Sequence, residues 1–349
     1  MERPFSLRRL WPVLLLVPVL LAGGHALLWR WMAGQIETSF TDWADARRAK
    51  GWVVAYGTPV RGGWPFAATL RLPAVRLAGG SATIPGGLTW TAEAMTLRVV
   101  LPRLGDLEVE AEGVQRLTLG EASFPFTADR VLATMALEPG VPPHAAQFSA
   151  DRLRVGLPGG ALEVRALSGD LDTKASATEA EPALSVSLDV QDVLLPMPGP
   201  LGRRLEHVRA ELSVTGPVPG GRVPARRAET WRDGGGTVEV RSLSLQWGQM
   251  TVEAAATMAL DEALQPMGAG TLQVEGASEA LSALSAAGVI GRRAAVTAQA
   301  AVAFLARPTA EGGAARVEVP LTVENRTLAM ARIPLLRLPT LTWPGGGLE

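Results

Sequence analysis

The sequence predicts a mainly β fold of antiparallel strands, preceded by one N-terminal transmembrane helix and accompanied by one or two short helices. Two patterns favour the strands. After residue 52, apolar and polar side chains alternate over most of the chain, which gives each strand one buried and one wet face. The 38 glycines and 26 prolines interrupt these runs and mark tight turns. Because aromatic residues make up only 5% of the chain, the apolar face consists mainly of Leu, Val and Ala.

The transmembrane helix is predicted at residues 10–31. Its core, Leu10 to Trp29, has His25 as its only ionisable group and contains the ~20 residues needed to cross ~30 Å of hydrocarbon. Three basic residues precede it: Arg3, Arg8 and Arg9. Because basic flanks stay on the cytoplasmic side, residues 1–9 are predicted to be cytoplasmic and the body to lie outside the cytoplasm. The segment is interpreted as a retained single-pass anchor in contact with membrane lipid.

A cleaved signal peptide is the alternative interpretation of this segment. Small residues near its end resemble a processing site: Ala22, Gly23, Gly24 and Ala26. The apolar run continues beyond them to Trp29, and this extension favours an anchor.

A juxtamembrane helix is predicted at residues 34–50. Ile36, Phe40 and Trp43 recur at helical spacing and form one apolar stripe, and Gly51 can end the helix. The stripe indicates a helix that packs on the body. The alternative is an amphipathic helix that rests on lipid headgroups, favoured by the basic residues at its end.

Residues 52–349 are predicted to form one β-rich domain. Its clearest signal is a long hairpin in which alternating residues lead to Trp247, turn at Gly248 and alternate again. Short helices are predicted at Pro224 to Arg232 and after Ser278, whereas Ala294 to Ala306 fits either a helix or a strand. Near the end, Asn325 and Arg326 mark a turn between two strands.

Sequence motifs for catalysis or for cofactor and metal binding are absent. The chain has no cysteine, which excludes disulfides, thiol nucleophiles and thiolate metal sites. Its three histidines, His25, His144 and His207, lack metal-ligand spacing, and no phosphate-binding or nucleophile motif occurs. The net charge of -1 and the lack of a basic patch argue against nucleic acid as a partner. The chain is therefore predicted not to be an enzyme and to carry no catalytic residue, metal or cofactor.

One local motif stands out at the entrance to the first long strand. It consists of Arg61, Gly63, Trp64, Pro65 and Phe66. Glycine allows a positive φ, and Pro65 forces Trp64 into an extended conformation. Trp64 and Phe66 can then plug the open end of a β core. The alternative is an exposed aromatic rim that contacts lipid or a partner.

At this motif the chain resembles the domain-of-unknown-function 2125 family of exported Gram-negative proteins. That family has an N-terminal membrane segment, an Arg-Gly-aromatic-Pro-Phe entry to its sheet and a later aromatic-Gly hairpin. The matching residues are Arg61 with Trp64-Pro65-Phe66, Leu245-Gln246-Trp247-Gly248 in the long hairpin, and the closing Val319-Pro320-Leu321 with Leu336 to Pro339. The chain departs from the pattern at Gly62-Gly63, where one glycine is usual, and at Asn325, where glycine is common.

The family in turn resembles the AsmA-like envelope proteins, whose sheets curl into an elongated groove with an apolar inner face. This resemblance implies an extended, curled antiparallel sheet, a periplasmic body anchored in the inner membrane, and a role in envelope lipid homeostasis. The predicted function is binding of lipid or acyl chains in a β-groove. The alternative is a non-catalytic interaction or assembly module with an envelope protein as its partner.

Overall fold

The computed structural model describes most of the chain after residue 10. The described residues are 11–80, 87–101, 103–137, 144–174, 177–178, 181–220, 223–288, 291–305, 316–330 and 333–343. Arg3, Arg8 and Arg9, on which the predicted orientation depends, lie outside them.

Helix α1 extends over Trp11–Ala49. Its 39 residues make it about 58 Å long at ~1.5 Å per residue. The sequence predicts two helices, at 10–31 and 34–50, but α1 is continuous between them. Met32 and Ala33, at the predicted break, are buried against the sheet, and this burial favours an unbroken helix. Among the described helices, α1 is the one that is long and apolar enough to cross a membrane.

In the described part of the chain, seventeen strands and three further helices follow α1. The first nine strands are β1 (Val53–Ala55), β2 (Val60–Gly62), β3 (Ala67–Gly79), β4 (Leu88–Val100), β5 (Asp106–Leu119), β6 (Ala122–Thr127), β7 (Arg130–Ala136), β8 (Ala145–Leu157) and β9 (Gly160–Thr173). The other eight are β10 (Pro182–Gly199), β11 (Gly202–Thr215), β12 (Val238–Trp247), β13 (Met250–Leu260), β14 (Pro266–Glu275), β15 (Arg316–Glu324), β16 (Thr327–Met330) and β17 (Ile333–Arg337). The helices are α2 (Pro224–Asp233), α3 (Ala277–Ala286) and α4 (Arg292–Leu305).

The strands form one antiparallel meander. At its start, β1 and β2 both pair with β3, which pairs with β4 and then β5. Strands β6 and β7 each pair with β5 on one side and with β8 on the other, so together they occupy the position of one interrupted strand. From β8 to β17 each strand pairs with the next. The predicted mainly β, antiparallel fold is confirmed.

Two local predictions have clear physical outcomes. Asn325 and Arg326 adopt φ values of 49° and 61°, which a tight hairpin requires, and they join β15 to β16 as expected. In the ambiguous segment Ala294 to Ala306, the described residues 294–305 are helical, because their many alanines favour a helix. Gln299 Nε2 also donates a hydrogen bond of 2.9 Å to Ser282 Oγ of α3.

A core cluster lies where α1 crosses β3 and β4. Phe40 packs there with Leu70 and Leu72 of β3 and Leu97 of β4. Ile36 also packs against this cluster, as the stripe predicts. Trp43, the third residue of the predicted stripe, is instead exposed and stacks on Phe40 with ring centroids 5.7 Å apart.

Candidate functional site

Hydrogen bonds fasten α1 to the loop that enters the sheet. His25 Nε2 donates to the carbonyl oxygen of Pro65 at 2.7 Å, and Trp29 Nε1 donates to that of Ala67 at 2.9 Å. About two turns beyond Trp29 on α1, Glu37 accepts a hydrogen bond of 2.6 Å from Arg61 Nε, and the two side chains form an ion pair. These contacts fix the start of β3 at the level of residues 25–29 of the helix.

The aromatic side chains of this loop lie at the surface. Trp64 is 49% exposed and Phe66 is 77% exposed, so neither fills the β core, contrary to the plug interpretation. Trp64 packs on α1 instead, with its ring centroid 4.9 Å from that of His25 and 5.9 Å from that of Trp29. The small residues Ala67 and Ala68 occupy the buried positions, because α1 lies too close for larger ones.

Gly63 is required by the geometry of the same loop. Its φ is +89°, and a Cβ atom at this position would lie 2.6 Å from the carbonyl oxygen of Ala67. The loop is closed by a hydrogen bond of 2.9 Å from Ala67 N to Gly63 O. A side chain at residue 63 would therefore push the entry of β3 away from α1.

Trp247 and Gly248 lie at the opposite ends of the strands from Trp64. The Trp247 ring covers Gly199, where a Cβ atom would lie 2.4 Å from the ring. Its Nε1 donates to Gly202 O at 3.2 Å, and Gly248 N donates to Glu206 Oε2 at 2.9 Å. The pair thus ties the β12–β13 turn to the neighbouring β10–β11 turn, a structural role in the sheet.

One apolar row crosses twelve strands of the sheet. Directly paired residues point to the same face, so the register places the whole row on one side. From β3 to β15 its members are Leu70, Leu97, Val109, Ala133, Phe148, Gly169, Leu188, Ala210, Leu243, Ala254, Leu272 and Val319. The row begins in the core under α1 and continues beyond it.

Burial changes along this row. Leu70 is fully buried under Phe40, whereas Leu243 is 38% exposed. Most members between them are half-buried. At Gly169 the missing side chain leaves space for the ring of Phe148, which would clash with a Cβ atom at 2.4 Å. Val319, at the far end of the row, is buried again at 7% exposure. The sheet therefore presents a continuous apolar face that α1 covers at one end and that is most accessible near Leu243.

A cavity of about 380 Å³ opens on this face at the ends of β11 to β14. Val214, Val238 and Met258 are directly paired in the sheet and form its floor. Helix α2 and the C-terminal segment at Leu341 and Trp343 form its other walls.

Hydrogen bonds hold both walls of this cavity in place. Trp231 Nε1 of α2 donates to Thr215 O at 2.9 Å, and Trp343 Nε1 donates to Leu264 O at 3.0 Å. Gln265 is buried and bonds both the amide and the carbonyl of Leu341. Arg227 is the one charged residue among the described lining residues, and its Nε donates to Pro219 O. The described lining of the cavity is therefore mainly apolar, with the one cation of Arg227 at its wall.

The other face of the sheet carries polar pairs. The pKa of Asp189 is lowered to about 2, mainly by a hydrogen bond from His207 and further by Gln191 and Arg209. Hydrogen bonds from Arg71 and Thr96 likewise lower the pKa of Glu112. Among the residues that the structure describes, no three His, Asp or Glu side chains are arranged to hold a metal ion. These carboxylates therefore act in cross-strand pairing.

Sequence reasoning identified the loop from Arg61 to Phe66 but missed its partners on α1. His25 was the available signal, because an ionisable residue inside an apolar span needs a hydrogen-bond partner. The cavity beneath α2 had no comparable signal, since its lining residues come from segments more than 100 residues apart in the chain.

Comparison with known proteins identifies a family. Residues 29–339 match the model of the family described as uncharacterized protein conserved in bacteria, DUF2125. No curated protein and no solved structure matches the chain, so the resemblance to AsmA-like proteins stays a prediction. The match covers most of the sequence and all seventeen described strands. The chain therefore belongs to the DUF2125 family of bacterial proteins.

Proposed function

We propose that this protein is a non-catalytic, membrane-anchored lipid-binding protein whose apolar sheet face holds acyl chains. In this proposal α1 crosses the inner membrane once and the sheet lies in the periplasm. The observation that carries the proposal is the apolar row, which runs without interruption from beneath the anchor helix across twelve strands. A surface of this kind offers a continuous path for an acyl chain that leaves the membrane.

The position of the aromatic loop supports membrane contact. Along α1, His25 lies about 21 Å and Trp31 about 30 Å from Trp11, at ~1.5 Å per residue. A hydrocarbon layer of ~30 Å that begins near Trp11 therefore ends near Trp31. The loop bonded to His25 and Trp29 then lies in the outer part of the membrane. Exposed Trp64 and Phe66 would there contact lipid, which explains their exposure.

The cavity beneath α2 provides an end point for the bound chain. Its volume of about 380 Å³ lies in the range of roughly 300–1,000 Å³ typical of small-molecule sites. Its floor is part of the same apolar face as the row, because Val214, Val238 and Met258 share that side of their strands.

The alternative function is a non-catalytic assembly module for another envelope protein. One observation favours it. The last strand, β17, has β16 as its described partner and carries Leu336, which is 49% exposed. Such an edge can accept a strand from another chain.

A matched pair of alanines separates these functions. Ala254 belongs to the row, whereas its neighbour Ala255 is exposed on the other face. The full chain is purified from membranes in detergent, and co-purified lipid is quantified by mass spectrometry. We expect lipid on the wild type and on Ala255→Glu, and a loss of about tenfold or more on Ala254→Glu, because an unpaired carboxylate disfavours an apolar ligand.

Thermal unfolding of both variants checks that each is folded. Equal lipid content in Ala254→Glu and Ala255→Glu would contradict binding at the row. Absence of lipid from the wild type, together with one stoichiometric co-purified envelope protein, would favour the assembly function.

A further inference from the structure

A second cavity lies on the flank of α1, on the side away from Trp64. It has a volume of about 440 Å³ and is lined by α1 and by Arg61 of β2. Apolar Leu27 and Trp31 line it together with polar Arg30 and Gln35. Leu27 and Trp31 are 71% and 62% exposed, so the apolar part of the cavity is open to the surroundings of the helix.

The two arginines of this cavity have guanidinium N–H groups without a hydrogen-bond partner in the described part of the chain. The guanidinium group of Arg30 forms no ion pair or hydrogen bond with any residue in the described part of the chain. Arg61 uses Nε to bond Glu37, and its two terminal amino groups have no described partner. The charges of Arg30, Arg61 and Glu37 sum to +1, and this net charge suits a singly charged anion. Guanidinium groups bind phosphate oxygens through two parallel hydrogen bonds, and this geometry favours phosphate over a halide.

The height of the cavity matches that of lipid phosphates. Arg30 lies about 28 Å along the axis from Trp11 at ~1.5 Å per residue, close to the ~30 Å thickness of the hydrocarbon layer. Leu27 and Trp31 can contact the upper acyl chain while Arg30 and Arg61 face the headgroup. Gly34, also in the lining, has no atom within 4 Å of a Cβ position, so the helix surface is open at that point.

We infer that Arg30 and Arg61 form a binding site for the phosphate of one phospholipid in the outer leaflet. This inference rests on the proposed membrane anchoring of α1, but it does not depend on the apolar row. The bound lipid would fix the depth and the orientation of the sheet relative to the membrane. Because a phospholipid headgroup and inorganic phosphate present the same chemical group, the experiment must distinguish binding of the lipid from binding of free phosphate.

The test uses the full chain, delipidated in dodecyl maltoside and titrated with phosphatidylglycerol, with bound lipid counted by native mass spectrometry. We expect one tightly bound phospholipid on the wild type. Arg30→Gln and Arg61→Gln should each weaken its binding by about tenfold, the value expected when one charge-assisted hydrogen-bonded contact is lost.

Two control variants distinguish binding from structural effects. Arg76→Gln removes another exposed arginine that has no described ion pair, and it should leave binding unchanged. Glu37→Gln breaks the same ion pair as Arg61→Gln but keeps both guanidinium groups. It should bind lipid at least as tightly as the wild type, whereas a merely structural ion pair would make Glu37→Gln as defective as Arg61→Gln.

Further arms identify the ligand and separate the two proposals. Dioleoylglycerol, which lacks phosphate, should not occupy the site, and inorganic phosphate should not displace the lipid. Displacement by inorganic phosphate at equal concentration, or unchanged binding in Arg30→Gln, would overturn the inference. Carbonate extraction of membranes tests the anchor itself: release of the wild type would contradict the proposed anchoring, whereas retention with unchanged lipid binding in Arg30→Gln would contradict the phosphate site alone.

Discussion

The part of the sheet under α1 and the part beyond it differ in the burial of their apolar side chains, although both have the same alternation of apolar and polar residues. In β3 and β4, the apolar row is represented by Leu70 and Leu97, which are buried against Phe40. In β12 and β13, the same row continues as Leu243 and Ala254, which remain partly exposed. Alternation alone thus produces a closed core where a helix covers the face and an accessible apolar surface where none does.

The largest expected difference between the two regions is in stability. Leu70→Ala should lower the free energy of unfolding by about 2–5 kcal/mol, because it leaves a cavity in a packed core. Leu243→Ala, the same change in the exposed part of the row, should cost about 1 kcal/mol or less. Chemical denaturation of the full chain in detergent measures both. Equal losses would show that the far part of the face is as closed as the part under α1.

The entry loop of the covered region provides the next test. Gly63→Ala should destabilise the protein by about 1–3 kcal/mol, because it combines a positive φ with a clash against a backbone carbonyl. Gly105→Ala is the control, since a Cβ atom there meets nothing within 4 Å. It should change stability by no more than about 0.5 kcal/mol. If thermal unfolding finds the two variants alike, the loop is not held as tightly against α1 as its contacts indicate.

The smallest expected effect concerns the polar face of the uncovered region. The pKa of Asp189 is lowered from 3.8 to about 2, so its ionised form is favoured in the folded protein. The resulting stabilisation is complete at a pH above the pKa of Asp189 in the unfolded chain, and it is lost as the pH falls through the pKa of Asp189 in the folded protein. Asp189→Asn should therefore cost about 1 kcal/mol at pH 5 and almost nothing near pH 2. Melting temperatures across this range measure the effect, and Asp106→Asn serves as an exposed control without a described ion pair. A penalty that stays constant with pH would argue against the ionic pair.

The fold was predictable from the sequence because its signals are local. The alternation of apolar and polar residues can be seen within one strand, and turn residues such as Gly248, Asn325 and Arg326 determine the chain direction within a few positions. Together these local signals indicated the antiparallel meander. The division of α1 was predicted wrongly because the sequence changes from apolar to polar there, while the packing of Met32 and Ala33 on the sheet keeps the helix continuous.

The site was less predictable because it depends on contacts between distant segments. The sequence singled out Trp64 and Phe66 but placed them in a core, since it gave no information that α1 lies beside β3. The apolar row likewise depends on the register of twelve strands, which no single segment determines. Leu243 and Leu70 have equivalent places in their local patterns, and the covering helix alone makes them different.

Photo-crosslinking with a phospholipid that carries a diazirine in its acyl chain shows directly whether acyl chains contact the apolar face of the sheet. The full chain is irradiated in membranes, and the modified peptides are located by mass spectrometry. We expect crosslinks on α1, on the loop of Trp64 and Phe66, and on row residues of β10 to β14 such as Leu188 and Ala254. Crosslinks confined to α1 and the loop would contradict it, because the apolar face would then not contact acyl chains.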